Sequence, residues 1–165
     1  MRGRHSEKSF PCFASKGQKQ GKTELFMVAD LREMQENQRV SEIRIDKSEF
    51  VEEFFAFLKA HKEYDIIVAE ENGIVVSAMF VYLISKLPKP NGNAKFIAYL
   101  TNVYTKKEYR NKGIGTQMMN YIKSYLIEKK CELLFAWPSD NSIAWYQRNG
   151  FNGDNEIFEC PLCEE

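Results

Sequence analysis

The chain alternates between two hydrophobic periods. Between residues 24 and 38, Leu25, Val28, Leu31 and Met34 or Gln35 recur at helical spacing, with Arg32, Glu33 and Glu36 turned outward. A second helix is expected over residues 47–61, where Phe50, Phe54 and Phe57 or Leu58 form the apolar stripe. Asp46-Lys47-Ser48-Glu49 has the form of a capping box at its start. The period then shortens. Residues 64–70 and 74–84 are rich in Ile and Val and read as strands, joined at Asn72-Gly73, a pair that favours a two-residue hairpin. A loop containing Pro88, Pro90 and Asn91-Gly92 leads into a third strand, residues 95–104. Helical spacing returns at Ile114, Met118, Ile122 and Tyr125 or Leu126, in a helix expected to end near residue 129. Residues 131–137 form a further strand that Pro138 stops. Ser139-Asp140-Asn141-Ser142 is rich in capping side chains and opens a short helix over residues 141–148, with Gly150 at a left-handed cap. Residues 156–160 read as a last strand. The helix between the 95–104 and 131–137 strands favours parallel pairing there. The expected fold is α/β (α+β): a mixed, mainly antiparallel sheet flanked by helices, with a parallel pair at its middle.

Residues 1–22 do not fit this pattern. They carry Arg2, Arg4, Lys8, Lys16, Lys19 and Lys22 against Glu7, and no strand is evident. The segment reads as a flexible basic arm, an added leader or an altered start, ahead of one domain over residues 23–165. Phe10-Pro11-Cys12-Phe13-Ala14 is too short for a signal-peptide core.

Composition narrows the function classes. A length of 165 residues fits one domain with a full core, and 44% hydrophobic residues is a globular proportion. No apolar run reaches the length of a membrane span, so no membrane partner is expected. Basic and acidic residues number 23 each, which lacks the basic excess of a general nucleic-acid surface. Cys12, Cys131, Cys160 and Cys163 do not make a disulfide framework and point to a reducing cytoplasm. Cys160-Pro-Leu-Cys163 has metal-ligand spacing, but no second pair completes four ligands, so no metal is expected.

The chemistry concentrates at Tyr109-Arg110-Asn111-Lys112-Gly113-Ile114-Gly115-Thr116, a polar loop between a strand and a helix. Such a loop turns several backbone N–H groups toward one point at the positive end of a helix. Gly113 and Gly115 lack a Cβ, so a ligand can approach the backbone, and Arg110 and Lys112 add positive charge. The object best held there is a phosphate or pyrophosphate; a simple tight turn is the plainer alternative. Neither the nucleotide P-loop spacing nor Gly-x-Gly-x-x-Gly is present.

Arg110-x-x-Gly113-x-Gly115 resembles the acetyl-CoA signature of the GNAT acetyltransferase superfamily. Asn102-Val103-Tyr104 stands before it and Tyr146-Gln147-Arg148-Asn149-Gly150-Phe151 after it, similar to that family's strand and Tyr-x-x-x-Gly-Phe segments. The resemblance covers roughly residues 40–158. It implies an acetyl-CoA-dependent N-acetyltransferase acting directly on a primary amine of a small molecule or peptide. A CoA-binding sensor or scaffold without catalysis is the alternative, motivated by the unusual N-terminus. It further implies that the parallel pair splays into an acetyl-CoA cleft. The backbone of Val103, Tyr104 and Thr105 would hold the pantetheine arm. The N–H groups of Asn111, Lys112, Gly113, Ile114, Gly115 and Thr116 would hold the pyrophosphate, helped by Arg110, Lys112 and the Thr116 hydroxyl. Asn141 would contact the pantetheine, unless it only caps a helix. Tyr146 stands at the general-acid position, where a phenol pKa of about 10 lies near that of a thiol; packing against the cofactor or core is its other role. An N–H near Asn102 or Val103 would stabilise the oxyanion. Glu70, Glu71, Glu108 and Asp140 are candidates for the general base, and Phe54 and Phe55 for acceptor-pocket walls. Cys131 as an acyl-carrying nucleophile is a lesser possibility, because only His5 and His61 exist to activate it. Family members are often dimers, so the resemblance also allows a homodimer.

Overall fold

The computed structural model describes residues 12–16, 22–36, 46–90 and 92–153. Its strands are β1 (Cys12–Lys16), β2 (Tyr64–Glu71), β3 (Ile74–Ser85), β4 (Phe96–Thr105) and β5 (Cys131–Phe135). Its helices are α1 (Lys22–Glu36), α2 (Lys47–Ala60), α3 (Ile114–Glu128) and α4 (Ile143–Arg148). The five strands form one sheet in the order β1-β2-β3-β4-β5. All neighbours are antiparallel except β4 and β5, which are parallel.

The N-terminal reading is corrected here. A strand does exist within residues 1–22: β1 pairs antiparallel with β2, Cys12 opposite Ala69 and Lys16 opposite Asp65. Five residues with one proline just before them carry too little alternation to be recognised, yet they cover the open edge of β2. The expected last strand, residues 156–160, lies outside the described residues, as does the Cys160/Cys163 pair. Among the described residues the parallel pair therefore lies at the sheet's edge.

The two faces of the sheet carry two cores. Alternation along β2 and β3 sends Ile66, Val68, Ala78 and Phe80 to the face covered by α1 and α2, where they meet Val28, Leu31 and Leu58. Ile67, Ala69, Met79 and Val81 face α3, against Ile114, Met118, Met119, Ile122 and Leu126. Each large apolar side chain so buried contributes about 1.5–3 kcal/mol. In α1 the stripe resolves onto Gln35, which is buried, while Met34 is exposed. In α2 Leu58 is buried and Phe57 is exposed. Asp46 caps α2 by accepting from the Ser48 N–H at 2.8 Å, one residue earlier than a capping box requires. The Asn72-Gly73 turn forms as expected, both residues left-handed at φ 53° and 78°.

Under α3, the carboxylate of Asp65 is 2% exposed. It accepts from the Tyr125 hydroxyl at 2.5 Å and lies 3.6 Å from the Lys129 ammonium. Burial, reinforced by that carboxylate, pushes the Tyr125 phenol well above the usual tyrosine range. A raised phenol pKa means that the unfolded chain loses this proton before the folded chain does. Stability contributed here is complete below pH 10.0, the ordinary tyrosine value, and declines as pH rises above it. Tyr125→Phe is expected to lower unfolding free energy by about 1.5 kcal/mol at neutral pH, the low end for a hydrogen bond to a charged group because the ring is only half-buried. Urea titrations at pH 7 and in the alkaline range check this: the wild type should lose stability with alkalinity more steeply than the variant.

Candidate active site

The site begins with a defect in β4. Ala78 pairs with Tyr104 and Phe80 with Thr101, so two residues of β4, Asn102 and Val103, face the single residue Met79 of β3. This is a β-bulge, which bends the strand and re-aims the groups beside it. Asn102 accommodates the bulge in a left-handed conformation, φ 49°, which asparagine tolerates better than most residues. β5 pairs with β4 only between Phe96 and Tyr99. Beyond Tyr99 the two parallel strands part. β5 contributes no ladder pair to the bulge or to the residues after it. This is the splayed pair anticipated from the sequence.

The loop after β4 turns through a 3-10 segment, Lys107–Tyr109. Asn111 and Gly113 are both left-handed, at φ 59° and 79°, and Gly113 is the N-cap of α3 without a side-chain capping bond. The N–H groups from Asn111 to Thr116 make no hydrogen bond among the described residues. Six successive donors stand at this helix N-terminus with no acidic residue in the first turn, an arrangement of backbone dipoles that suits an anion.

The cationic side chains are less free than the sequence suggests. The Nε of Arg110 donates to the Thr105 carbonyl at 2.9 Å, and its guanidinium lies over the Tyr104 ring, 5.4 Å from the centroid. Arg110 therefore ties the loop to the end of β4. Lys112 sits over the Tyr109 ring at 4.9 Å and is exposed. Thr116 is exposed beside the donors. The Ser77 hydroxyl donates to the Tyr104 carbonyl at 2.8 Å and lies 2.8 Å from the Thr105 hydroxyl, bracing the strand from β3.

The two glycines have different reasons to be glycine. A Cβ at Gly113 would meet only the Gln117 side chain at 3.8 Å; there the positive φ is what excludes other residues. A Cβ at Gly115 would come within 3.1 Å of the Trp145 ring. Gly115 thus lets α4 pack onto the start of α3, whereas the sequence suggests only room for a ligand. Trp145 is missed by sequence reasoning because it carries no reacting group; its adjacency to Tyr146 is the one signal.

Tyr146 is 8% exposed, held edge-on between Trp145 and Phe151 at centroid distances of 4.9 and 5.1 Å. It belongs to the α3-side core and borders a cavity of about 930 Å³ between β5 and α4. None of residues 102–105 or 110–116 lines that cavity, so it is separate from the loop. Asn141 is exposed in a 3-10 turn, Asp140–Ser142, which precedes α4. It caps neither segment: Ser139 and Ser142 occupy the two N-cap positions.

The remaining candidates do not converge. Glu70 and Glu71 lie at the β2–β3 hairpin end, and Glu108 and Asp140 are exposed in separate 3-10 segments. Phe54 packs on Phe80 at 6.1 Å and Phe55 on Phe26 at 5.1 Å, which makes both part of the packing around α1 and α2. The Cys131 thiol donates to the Leu133 carbonyl at 3.3 Å, and burial pushes its pKa up, opposite to what a thiolate nucleophile needs. Among the described residues no three His, Cys, Asp or Glu side chains gather as for a metal, and no helix is long and apolar enough to cross a membrane.

Residues 29–151 match the model of the acetyltransferase (GNAT) family. No curated protein matches the sequence. The fold is similar to that of a predicted acetyltransferase from Clostridium acetobutylicum solved with acetyl-CoA: TM-score 0.70 and 21% identity over 93% of this chain and 97% of that one. It is similar to glucosamine-6-phosphate N-acetyltransferase from Arabidopsis thaliana, with TM-score 0.65 and 15% identity over 94% of this chain and 100% of that one. It is also similar to an aminoglycoside acetyltransferase from an uncultured soil metagenomic sample, with TM-score 0.70 and 13% identity over 94% and 97%.

The Gly115–Trp145 contact is open to a double-mutant test. Gly115→Ala is expected to cost about 1–3 kcal/mol by overpacking. In a Trp145→Leu background the same change should cost markedly less. Chemical denaturation of the four proteins checks both values.

Proposed function

The chain belongs to the acetyltransferase (GNAT) family, and from that premise we propose that it moves an acetyl group directly from acetyl-CoA to a primary amine of a small molecule or peptide. The observation that carries the cosubstrate assignment is the row of unpaired N–H donors from Asn111 to Thr116. A pyrophosphate supplies the acceptors that these donors lack. The open edge of β4 beyond Tyr99 offers backbone groups to the pantetheine arm, as the resemblance implies for Val103, Tyr104 and Thr105. By the same resemblance the Asn141 side chain contacts the pantetheine.

In this reading a neutral amine attacks the thioester carbonyl, and the Val103 N–H, aimed by the bulge, stabilises the oxyanion. Collapse expels the CoA thiolate. Tyr146 hands it the phenolic proton and is reprotonated from solvent; the ammonium nitrogen of the tetrahedral adduct gives up its proton to solvent or a base before that collapse, so that the thiolate and not the amine departs. Acetyl-CoA supplies the activated acyl group; the chain positions it, stabilises charge and moves a proton. The similar structures named for glucosamine 6-phosphate and aminoglycosides support a small amine acceptor. The sensor alternative drew on a missing first strand, and β1 removes that ground.

Acetyl-CoA at about one hundred times its Kd is expected to stabilise the fold by about 2.7 kcal/mol, a Tm rise of roughly 5–11 °C. ADP should give much less. No shift at millimolar acetyl-CoA would remove the cosubstrate assignment. Tyr146→Phe should lower kcat by about ten- to a thousandfold while leaving the acetyl-CoA shift in place. Pre-steady-state thiol release, which isolates the chemical step, checks it; an unchanged rate returns Tyr146 to a packing role.

A further inference from the structure

Gln35, on the last turn of α1, is 7% exposed. Its Nε2 donates to the carbonyl of Val103 at 3.2 Å, the residue at the bulge. Its Oε1 is buried with no hydrogen-bond partner among the described residues. An amide placed merely to fill the α1–β4 interface would be a poor choice. The amide gives the Val103 carbonyl a donor that an apolar side chain of the same size could not supply, and it does so with its own Oε1 left unpaired. We propose that Gln35 is a positioning residue for acetyl transfer, acting through Val103. Because the peptide unit is planar, fixing the Val103 carbonyl fixes the whole plane between Val103 and Tyr104. On the other side, Asn102 is locked in its left-handed well. The Val103 N–H lies in the preceding peptide plane; with the following plane held by Gln35 and Asn102 left-handed, the rotations at Val103 that would swing this N–H away are restricted. This rests on the acetyl-transfer reading above and adds to it the residue that sets the oxyanion donor.

The test uses Gln35→Met and Gln35→Glu in the full chain. Thiol release from acetyl-CoA is followed with spermine, sisomicin or glucosamine 6-phosphate as the amine. Gln35→Met, which removes one unpaired acceptor and leaves another, is expected to change Tm little, to keep the acetyl-CoA thermal shift, and to lower kcat by about ten- to a hundredfold, part of what loss of an oxyanion donor costs. In Gln35→Glu the ionised carboxylate repels the Val103 carbonyl, whereas the protonated acid regains a donor. Its kcat relative to wild type at each pH should therefore climb as pH falls. Independently of turnover, acetyl-CoA should move the Val103 amide resonance in the wild type and much less in Gln35→Met. A Gln35→Met protein with wild-type kcat, or with the wild-type Val103 response, overturns the assignment. A fall in kcat matched by a fall in Tm, with no pH recovery in Gln35→Glu, also overturns it. If acetyl-CoA fails to stabilise even the wild type, the cosubstrate reading itself has failed.

Discussion

One extra residue in β4 governs the geometry of the site. A regular strand would direct its N–H and C=O groups alternately toward β3 and toward the β5 side along its whole length. The insertion at Asn102 and Val103 breaks that alternation where β5 has already turned away. The backbone of β4 is thus re-aimed in the stretch that β5 does not pair with. The cost is a residue in the left-handed region and a local gap in the ladder, and the surrounding structure restrains both. Ser77 holds the Tyr104 carbonyl from β3, Arg110 holds the Thr105 carbonyl from the following loop, and Gln35 holds the Val103 carbonyl from α1. Three consecutive carbonyls are each taken by a side chain from a different element.

Charge is handled the same way. The loop that reads as basic in sequence presents chiefly its backbone. Arg110 is spent on architecture and Lys112 leans on an aromatic ring, while six amide dipoles stay unpaired. Fixed dipoles need no side-chain ordering when an anion arrives, so less entropy is lost on binding than with flexible lysines.

Most of the fold was legible because its two periods are clean. Ile66 to Ala69 and Val75 to Val81 alternate between two buried faces, and Asn72-Gly73 marks the turn between them. The α3 stripe of Ile114, Met118, Ile122 and Leu126 is regular. β1 was not legible: a short edge strand draws its stability from the β2 backbone, and main-chain hydrogen bonding leaves little trace in side-chain pattern. The Gly loop was legible as a loop, since glycine spacing encodes backbone conformation directly. What it packs against was not, because Trp145 reaches Gly115 from thirty residues away. Gln35 was visible only as an ambiguity, a polar residue sharing a place in an apolar stripe with Met34. The family resemblance, carried by Arg110-x-x-Gly113-x-Gly115 and the Tyr146 segment, supplied the chemistry that periodicity cannot.

The indole lying on Gly115 is also a chromophore. The chain has two tryptophans, and the other, Trp137, is 57% exposed just past β5. One therefore looks out to solvent while the other lies against the helix start that carries the unpaired amides. A soluble quencher would reach the first more readily than the second, which separates their emission without any label. The protein is built with an internal optical gauge of how its loop is seated.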